Sequence, residues 1–204
     1  MDKSLYTRPD KPTRLTVTHR QEVPARALPV VPEPIAVNSA TECHVTPDEV
    51  AERMVDYLGP QGAYLTLEPS AGTGNLIHAL YRAGHSAQEL VAIERSISLC
   101  SVLVKRFNSD RKIEPINECF LEYVEKAKGQ IEYPRVIMNP SFKRIKAHMN
   151  AALSLLGRSG HDEATLVALV PITYQHSEME SLEELPDDTF TTTKVYTKLV
   201  RFTR

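Results

Sequence analysis

No tryptophan occurs in the 204 residues, and basic residues do not outnumber acidic ones. Lys and Arg total 24 against 26 Asp and Glu, for a formal net charge of −2 and a sequence pI near 6.4. A chain that binds nucleic acid regardless of sequence usually carries a basic excess, so this balance confines any such contact to a local patch. The three cysteines, Cys43, Cys100 and Cys119, lack the paired spacing of a disulfide framework or a zinc site. Their odd number suits a reducing compartment. The N-terminus has no apolar signal core, and no apolar run approaches membrane-spanning length. These absences predict a soluble, cytoplasmic protein with no membrane partner and no metal. What is present is an apolar content of 42%, enough to pack one domain of ordinary size plus a tail.

Glycine is also missing from residues 1–40, where prolines recur at positions 9, 12, 24, 29, 32 and 34. Each proline sets φ and removes a backbone donor, so an extended leader is expected. Its basic residues Lys3, Arg8, Lys11, Arg14, Arg20 and Arg26 outnumber its acids. Two readings stay open: a leader that is disordered or draped over the domain, or a basic arm that grips phosphates or a protein partner.

From residue 41 to 204 the pattern becomes alternating strands and helices. Thr46-Pro47-Asp48-Glu49 has the form of a capping box with proline at the first helical position. Val50, Ala51, Met54, Val55 and Leu58 then share one helical face, and Gly59-Pro60 ends it. Strands are expected over 63–68, 90–94, 134–139 and 165–170, with a weaker one over 113–117 interrupted by Pro115. Helices are expected over 75–82, 97–107 and 145–156. Nearly continuous apolar strands alternating with helices imply a parallel sheet buried on both faces. Thr189 to Thr193 and Val195 to Phe202 read as closing strands, one of them antiparallel. Lys194, Lys198, Arg201 and Arg204 fit the solvent face of the last strand. The fold class is therefore α/β, mostly parallel, with a C-terminal antiparallel strand.

The most informative segment is Leu67 to Leu76, LEPSAGTGNL, which follows a strand and opens a helix. Gly72 and Gly74 allow a sharp turn and close approach to a ligand. No lysine follows them, which disfavours a nucleotide-triphosphate loop. Glu68 ends the first strand, where a carboxylate would repel a pyrophosphate but could pair with an ammonium. Glu94 ends the next strand, twenty positions beyond Gly74, the spacing at which a carboxylate can take a ribose diol.

The run EPSAGTGNL resembles the first signature of the class I S-adenosylmethionine-dependent methyltransferases, particularly the adenine amino-methyltransferase branch. TPDEVAERMV, residues 46–55, resembles the segment that precedes this turn in the gamma-type DNA adenine enzymes. IMNPSF, residues 137–142, resembles their (D/N)PP(Y/F) signature. The resemblance covers residues 41–204 and implies a Rossmann-like fold, S-adenosyl-L-methionine as methyl donor and DNA or RNA as substrate. It implies donor contacts from Thr46, Glu68, Ser70, Gly72, Gly74, Glu94, Cys119 and Phe120.

An exocyclic amine is a poor nucleophile because its lone pair is delocalised into the ring. The Asn139 side-chain oxygen and the Pro140 carbonyl could hold its two hydrogens, and Phe142 could stack on the base. These three are the catalytic candidates. The rate gain would come from positioning and from accepting developing positive charge. Ser141, Lys143, Arg144 and Lys146, with His148 nearby, are candidates for contact with the substrate and its phosphates.

Three departures from the family pattern stand out. Ser141 replaces a second proline, and Cys119 occupies a position where the family has an acid. Glu118, one step earlier, would face away on a regular strand. The chain also leaves no room for the large recognition domain of the gamma-type enzymes, so sequence-specific DNA reading is not expected from it unaided. Alternative readings are a degenerate methyltransferase that acts by binding, or an enzyme that methylates a protein glutamine amide at a similar Asn-Pro turn. Phage, prophage or plasmid products resemble such compact chains.

Overall fold

The computed structural model describes residues 45–108, 112–190 and 195–204. The proposed leader, 1–40, lies outside the described residues. Six strands form one sheet: β1 (Thr66–Glu68), β2 (Leu90–Ala92), β3 (Arg135–Met138), β4 (Thr165–Pro171), β5 (Glu180–Leu185) and β6 (Thr197–Thr203). Their order is β2-β1-β3-β4-β6-β5. The first four run parallel, whereas β6 is antiparallel to both β4 and β5.

Among the described residues, five α-helices cover the two faces. They are α1 (Asp48–Leu58), α2 (Asn75–Arg82), α3 (Ile97–Arg106), α4 (Phe120–Ala127) and α5 (Ile145–Leu155). The apolar run of β4 shows why a helix layer is needed on each side. Val167 and Leu169 pack with Met54, Leu76, Leu80 and Leu103 from α1, α2 and α3. Leu166, Ala168 and Val170 pack with Phe120, Val124, Met149 and Ala152 from α4 and α5. Alternate residues of a strand point to opposite faces, so an unbroken apolar strand must be covered twice. The five apolar residues read on one face of α1 are all buried.

Several local expectations are corrected. The weak strand over 113–117 is reduced to a single parallel bridge between Ile93 and Ile116, next to Pro115, which has no N–H to extend a ladder. The strand beside β6 is Glu180–Leu185, not Thr189 to Thr193. Thr189 instead sits in a turn, its N–H and hydroxyl both donating to the Pro186 carbonyl, and 191–194 lie outside the described residues. Acidic residues weaken a strand assignment from composition alone, but here arginines from other elements meet them. Arg53 of α1 pairs with Glu183 at 2.8 Å, and Arg201 of β6 pairs with Glu180 at 2.7 Å.

Because β5 takes the edge, β6 lies inside the sheet. Lys198 is consequently buried, at 7% exposure, and Arg204 donates to the Leu153 and Leu156 carbonyls at the end of α5. Lys198 therefore does not belong to a solvent-facing stripe, whereas Arg204, just past β6, remains exposed. The segment after Asn117 also departs from a strand. It turns at Glu118 and enters α4, whose Phe120, Val124 and Ala127 recur at helical spacing and are buried.

Candidate active site

Three parallel strands end beside one another, and their C-terminal ends open on a single cleft of about 970 Å³, counting the part open to solvent. Thr46, Glu68, Ser70, Gly72, Glu94, Cys119 and Phe120 line it, as do Asn139, Pro140, Ser141 and Arg144. The turn at Gly72 and the turn at Asn139 therefore share one cavity although they follow different strands. Phe142 and Lys143, in the short 3-10 turn that follows, and Lys146 at the start of α5 are not in its lining.

The two glycines of the turn serve different ends. Both adopt positive φ, +54° at Gly72 and +86° at Gly74, which favours glycine. Gly72 lines the cleft, and its N–H donates to Glu94 Oε2 at 2.9 Å. Gly74 faces α3 rather than the cleft. A Cβ there would lie 2.7 Å from Leu103 Cδ2 and from Phe107 Cε2. Its absence lets the start of α2 pack closely against α3.

Glu94 is the tether of the turn. Besides Gly72, it accepts from the Ser96 N–H through Oε1 at 2.8 Å, so both carboxylate oxygens hold backbone. The Asn117 amide donates to the Glu94 and Arg95 carbonyls, at 2.9 and 3.0 Å, and locks the same corner from the third side. Glu68 is treated differently. It is 1% exposed, and its Oε2 has no hydrogen-bond partner. Burial, and then the neighbouring Glu94 carboxylate, raise its pKa well above the usual carboxylate range, against a smaller opposing pull from Arg106. Arg106 is committed elsewhere, its Nη1 donating to Thr73 O at 2.7 Å and Asn75 Oδ1 at 2.6 Å.

Thr46 does not cap α1 with its side chain. The helix starts at Asp48 after Pro47, without a side-chain cap. The Thr46 hydroxyl instead accepts from Asn139 Nδ2 at 3.0 Å, and its carbonyl accepts from Asn75 Nδ2 at 2.8 Å. The capping-box pattern is thus present as letters but its hydroxyl is spent on the cleft. Only tertiary contact offers that competing partner.

Three further residues, Glu118, Arg95 and His148, line the cleft beyond those expected from the sequence. Glu118 does not face away: it lines the cleft and pairs with Lys126, because the chain bends there instead of running as a strand. Arg95, next to Glu94, lines the cleft as well. His148, expected only near the basic residues, lines the cavity itself. Burial lowers its pKa, and Arg144 and Arg95 lower it further; its ring lies 6.0 Å from that of Phe120, and its Nδ1 has no partner.

Among the described residues no group of three or more His, Cys, Asp or Glu could hold a metal ion. Nor is any described helix long and apolar enough to cross a membrane.

No protein-family model matches this chain, and no curated protein does. Solved structures do. A protein described as a modification subunit of a type I restriction enzyme from Vibrio vulnificus YJ016 superposes with a TM-score of 0.65 at 17% identity, over 79% of this chain and 44% of that one. The type I restriction enzyme EcoKI M protein gives 0.61 at 13% identity, over 80% and 44%. The 23S rRNA methyltransferase ErmE gives 0.59 at 15% identity, over 78% and 68%. The chain has the Rossmann-like methyltransferase fold. It spans less than half the length of the two restriction-enzyme subunits. In this methyltransferase fold the cleft at the C-terminal ends of β1, β2 and β3 is where ligands of open α/β sheets bind.

Proposed function

We propose that the chain transfers a methyl group from S-adenosyl-L-methionine to the exocyclic amine of adenine in DNA or RNA. The observation that carries this reading is that Glu68, Gly72 and Glu94 share one cleft with Asn139 and Pro140. The likeness to structures that include nucleic-acid methyltransferases supports it.

The donor supplies an electrophilic methyl group on a sulfonium. The donor half of the cleft fits a cationic ligand, since it holds two buried acids, one with an oxygen that no group satisfies. Glu68 takes the ammonium of the methionine moiety, Glu94 the ribose hydroxyls through its remaining lone pairs, and Phe120 flanks the adenine ring. Ser70 and Cys119 complete the walls, while Gly74 acts by letting the turn pack.

The acceptor half is organised by Asn139. Its Nδ2 is held by Thr46, which assigns Oδ1 as the acceptor end of the amide. Oδ1 and the Pro140 carbonyl hold the two amine hydrogens and favour a tetrahedral nitrogen. As the new N–C bond forms, the C–S pair returns to sulfur, and one proton leaves the nitrogen for water. Phe142 follows directly in the chain and supplies a stacking face. Ser141 and Arg144 in the cleft, and Lys143 and Lys146 outside it, contact the flanking substrate.

A second reading, a donor-binding protein without transfer, draws on Ser141 and Cys119, which line the cleft where the resemblance calls for proline and an acid. Purified protein with radiolabelled donor tests both. The methylation reading expects label in unmethylated DNA or RNA, abolished by Asn139→Ala with donor binding retained. Donor binding with no label in any acceptor supports the second reading, and label in protein instead supports glutamine methylation.

A further inference from the structure

We propose that Glu68 carries a proton when the cleft holds no cation, and that a ligand bearing an ammonium group expels this proton as it binds. The inference rests on the donor-site reading above and adds a proton to its stoichiometry.

The two acids of the cleft are not equivalent. Glu94 is given two backbone N–H donors, from Gly72 and Ser96. Glu68 is 1% exposed, and no group donates to its Oε2 although the residue lines the cleft. A buried carboxylate without donors is costly, whereas the neutral acid is tolerated far better. Of the two neighbouring carboxyl groups, the one without donors is where a proton is held at least cost.

Arg95, Arg144 and His148 also line the cleft, but the charges that bear on Glu68 are those of Glu94 and Arg106. Glu94 beyond β2 opposes its ionisation, and Arg106 of α3 favours it from a distance. Arg106 spends its Nη1 on Thr73 and Asn75, and among the described residues it forms no ion pair with Glu68. Asp48 of α1 acts on Arg106, and His78 of α2 is acted on by both; neither bears on Glu68. Glu118, on the α4 side of the cleft, is paired with Lys126. The β3 end contributes Asn139, which has no charge.

An arriving ammonium brings the missing N–H donor and a countercharge together. The exchange balances as Glu68–COOH plus ligand–NH3+ giving the paired carboxylate and ammonium plus one proton delivered to buffer. Glu68 thereby becomes a specificity determinant: a nucleoside thioether without the amine gains nothing from it. Affinity for the amine-bearing ligand falls in acid, where the displaced proton competes.

The test is titration calorimetry on the full chain at about pH 6, where an α-amino group of pKa about 8 is protonated. Two buffers of different ionisation enthalpy report the proton count. S-adenosylhomocysteine, which has the ammonium but no sulfonium, is expected to release about one proton. Methylthioadenosine, which has neither, is expected to release none. Glu68→Gln imitates the neutral acid, so its ligand-free thermal unfolding temperature at this pH should be no lower than that of the wild type. It should bind S-adenosylhomocysteine about ten- to a hundredfold more weakly, with no proton released. Binding without release, or release that persists in Glu68→Gln, overturns the proposal and leaves the donor site standing. If neither compound binds the wild-type chain, the donor-site reading fails and this proposal fails with it.

Discussion

The side-chain amide of Asn139 donates to the hydroxyl of Thr46 at 3.0 Å, joining residues 93 positions apart in the chain. One bond thus links the end of β3 to the entry of α1. The Thr46 carbonyl, held by Asn75, extends the link to the start of α2.

Removing that hydroxyl isolates its role. Thr46→Val keeps the shape and loses the acceptor for Asn139. Stability should fall by about 1 kcal/mol, the net worth of one hydrogen bond. Methyl transfer should fall by about tenfold or more, because a misaimed acceptor costs far more in positioning than in folding. Thr46→Ser should restore both, as measured by initial rates and by denaturant unfolding.

Glu68 gives a pH signature in the ligand-free protein. Its pKa is raised on folding, by burial and then by Glu94. The folded state therefore binds more protons than the unfolded state between the unfolded carboxylate pKa and the raised folded one. Stability from this residue is full below that window and declines as pH rises through it. Glu68→Gln should flatten the decline. A ligand-free melting temperature whose pH profile is unchanged by the substitution would contradict the assignment.

Gly74 should tolerate no side chain. Its φ of +86° disfavours L residues, and the added Cβ meets Leu103 and Phe107 at 2.7 Å. Gly74→Ala should cost at least about 2 kcal/mol, combining left-handed strain with overpacking. Equilibrium unfolding in urea measures it.

Arg95 and Arg144 line the cleft and both act on His148. If they meet phosphates of a bound strand, Arg95→Ala and Arg144→Ala should weaken binding of oligonucleotides of any sequence. Each should also lower the slope of log affinity against log salt by about one. Fluorescence anisotropy across a salt series reads both; unchanged slopes would place the phosphates elsewhere.

The elements that were legible are those whose signal is local. The period of Val50, Ala51, Met54, Val55 and Leu58, the paired glycines after an apolar strand and the acid at the end of each strand all lie within a few residues of one another. Order and type of β1, α2, β2, α3, β3, α5 and β4 follow from such windows. The β5 edge was not legible, because its acidic residues are met by Arg53 and Arg201 from distant elements. The start of α4 was not legible either, because a strand through Glu118 and Cys119 is excluded only by the burial of Phe120, Val124 and Ala127 on one helical face.

By itself the sequence determined the alternation of elements, the sharp turn at Gly72 and Gly74, and which polar residues end each strand. Those outcomes depend on backbone sterics and short-range periodicity, which the chain carries wherever it is. Tertiary structure alone decided that Thr46 serves Asn139 instead of its helix, that Gly74 accommodates α3 while Gly72 serves the cleft, and that burial lowers the pKa of His148. Each of those depends on burial or on a partner many residues away, and neither exists until the sheet has brought its strand ends together.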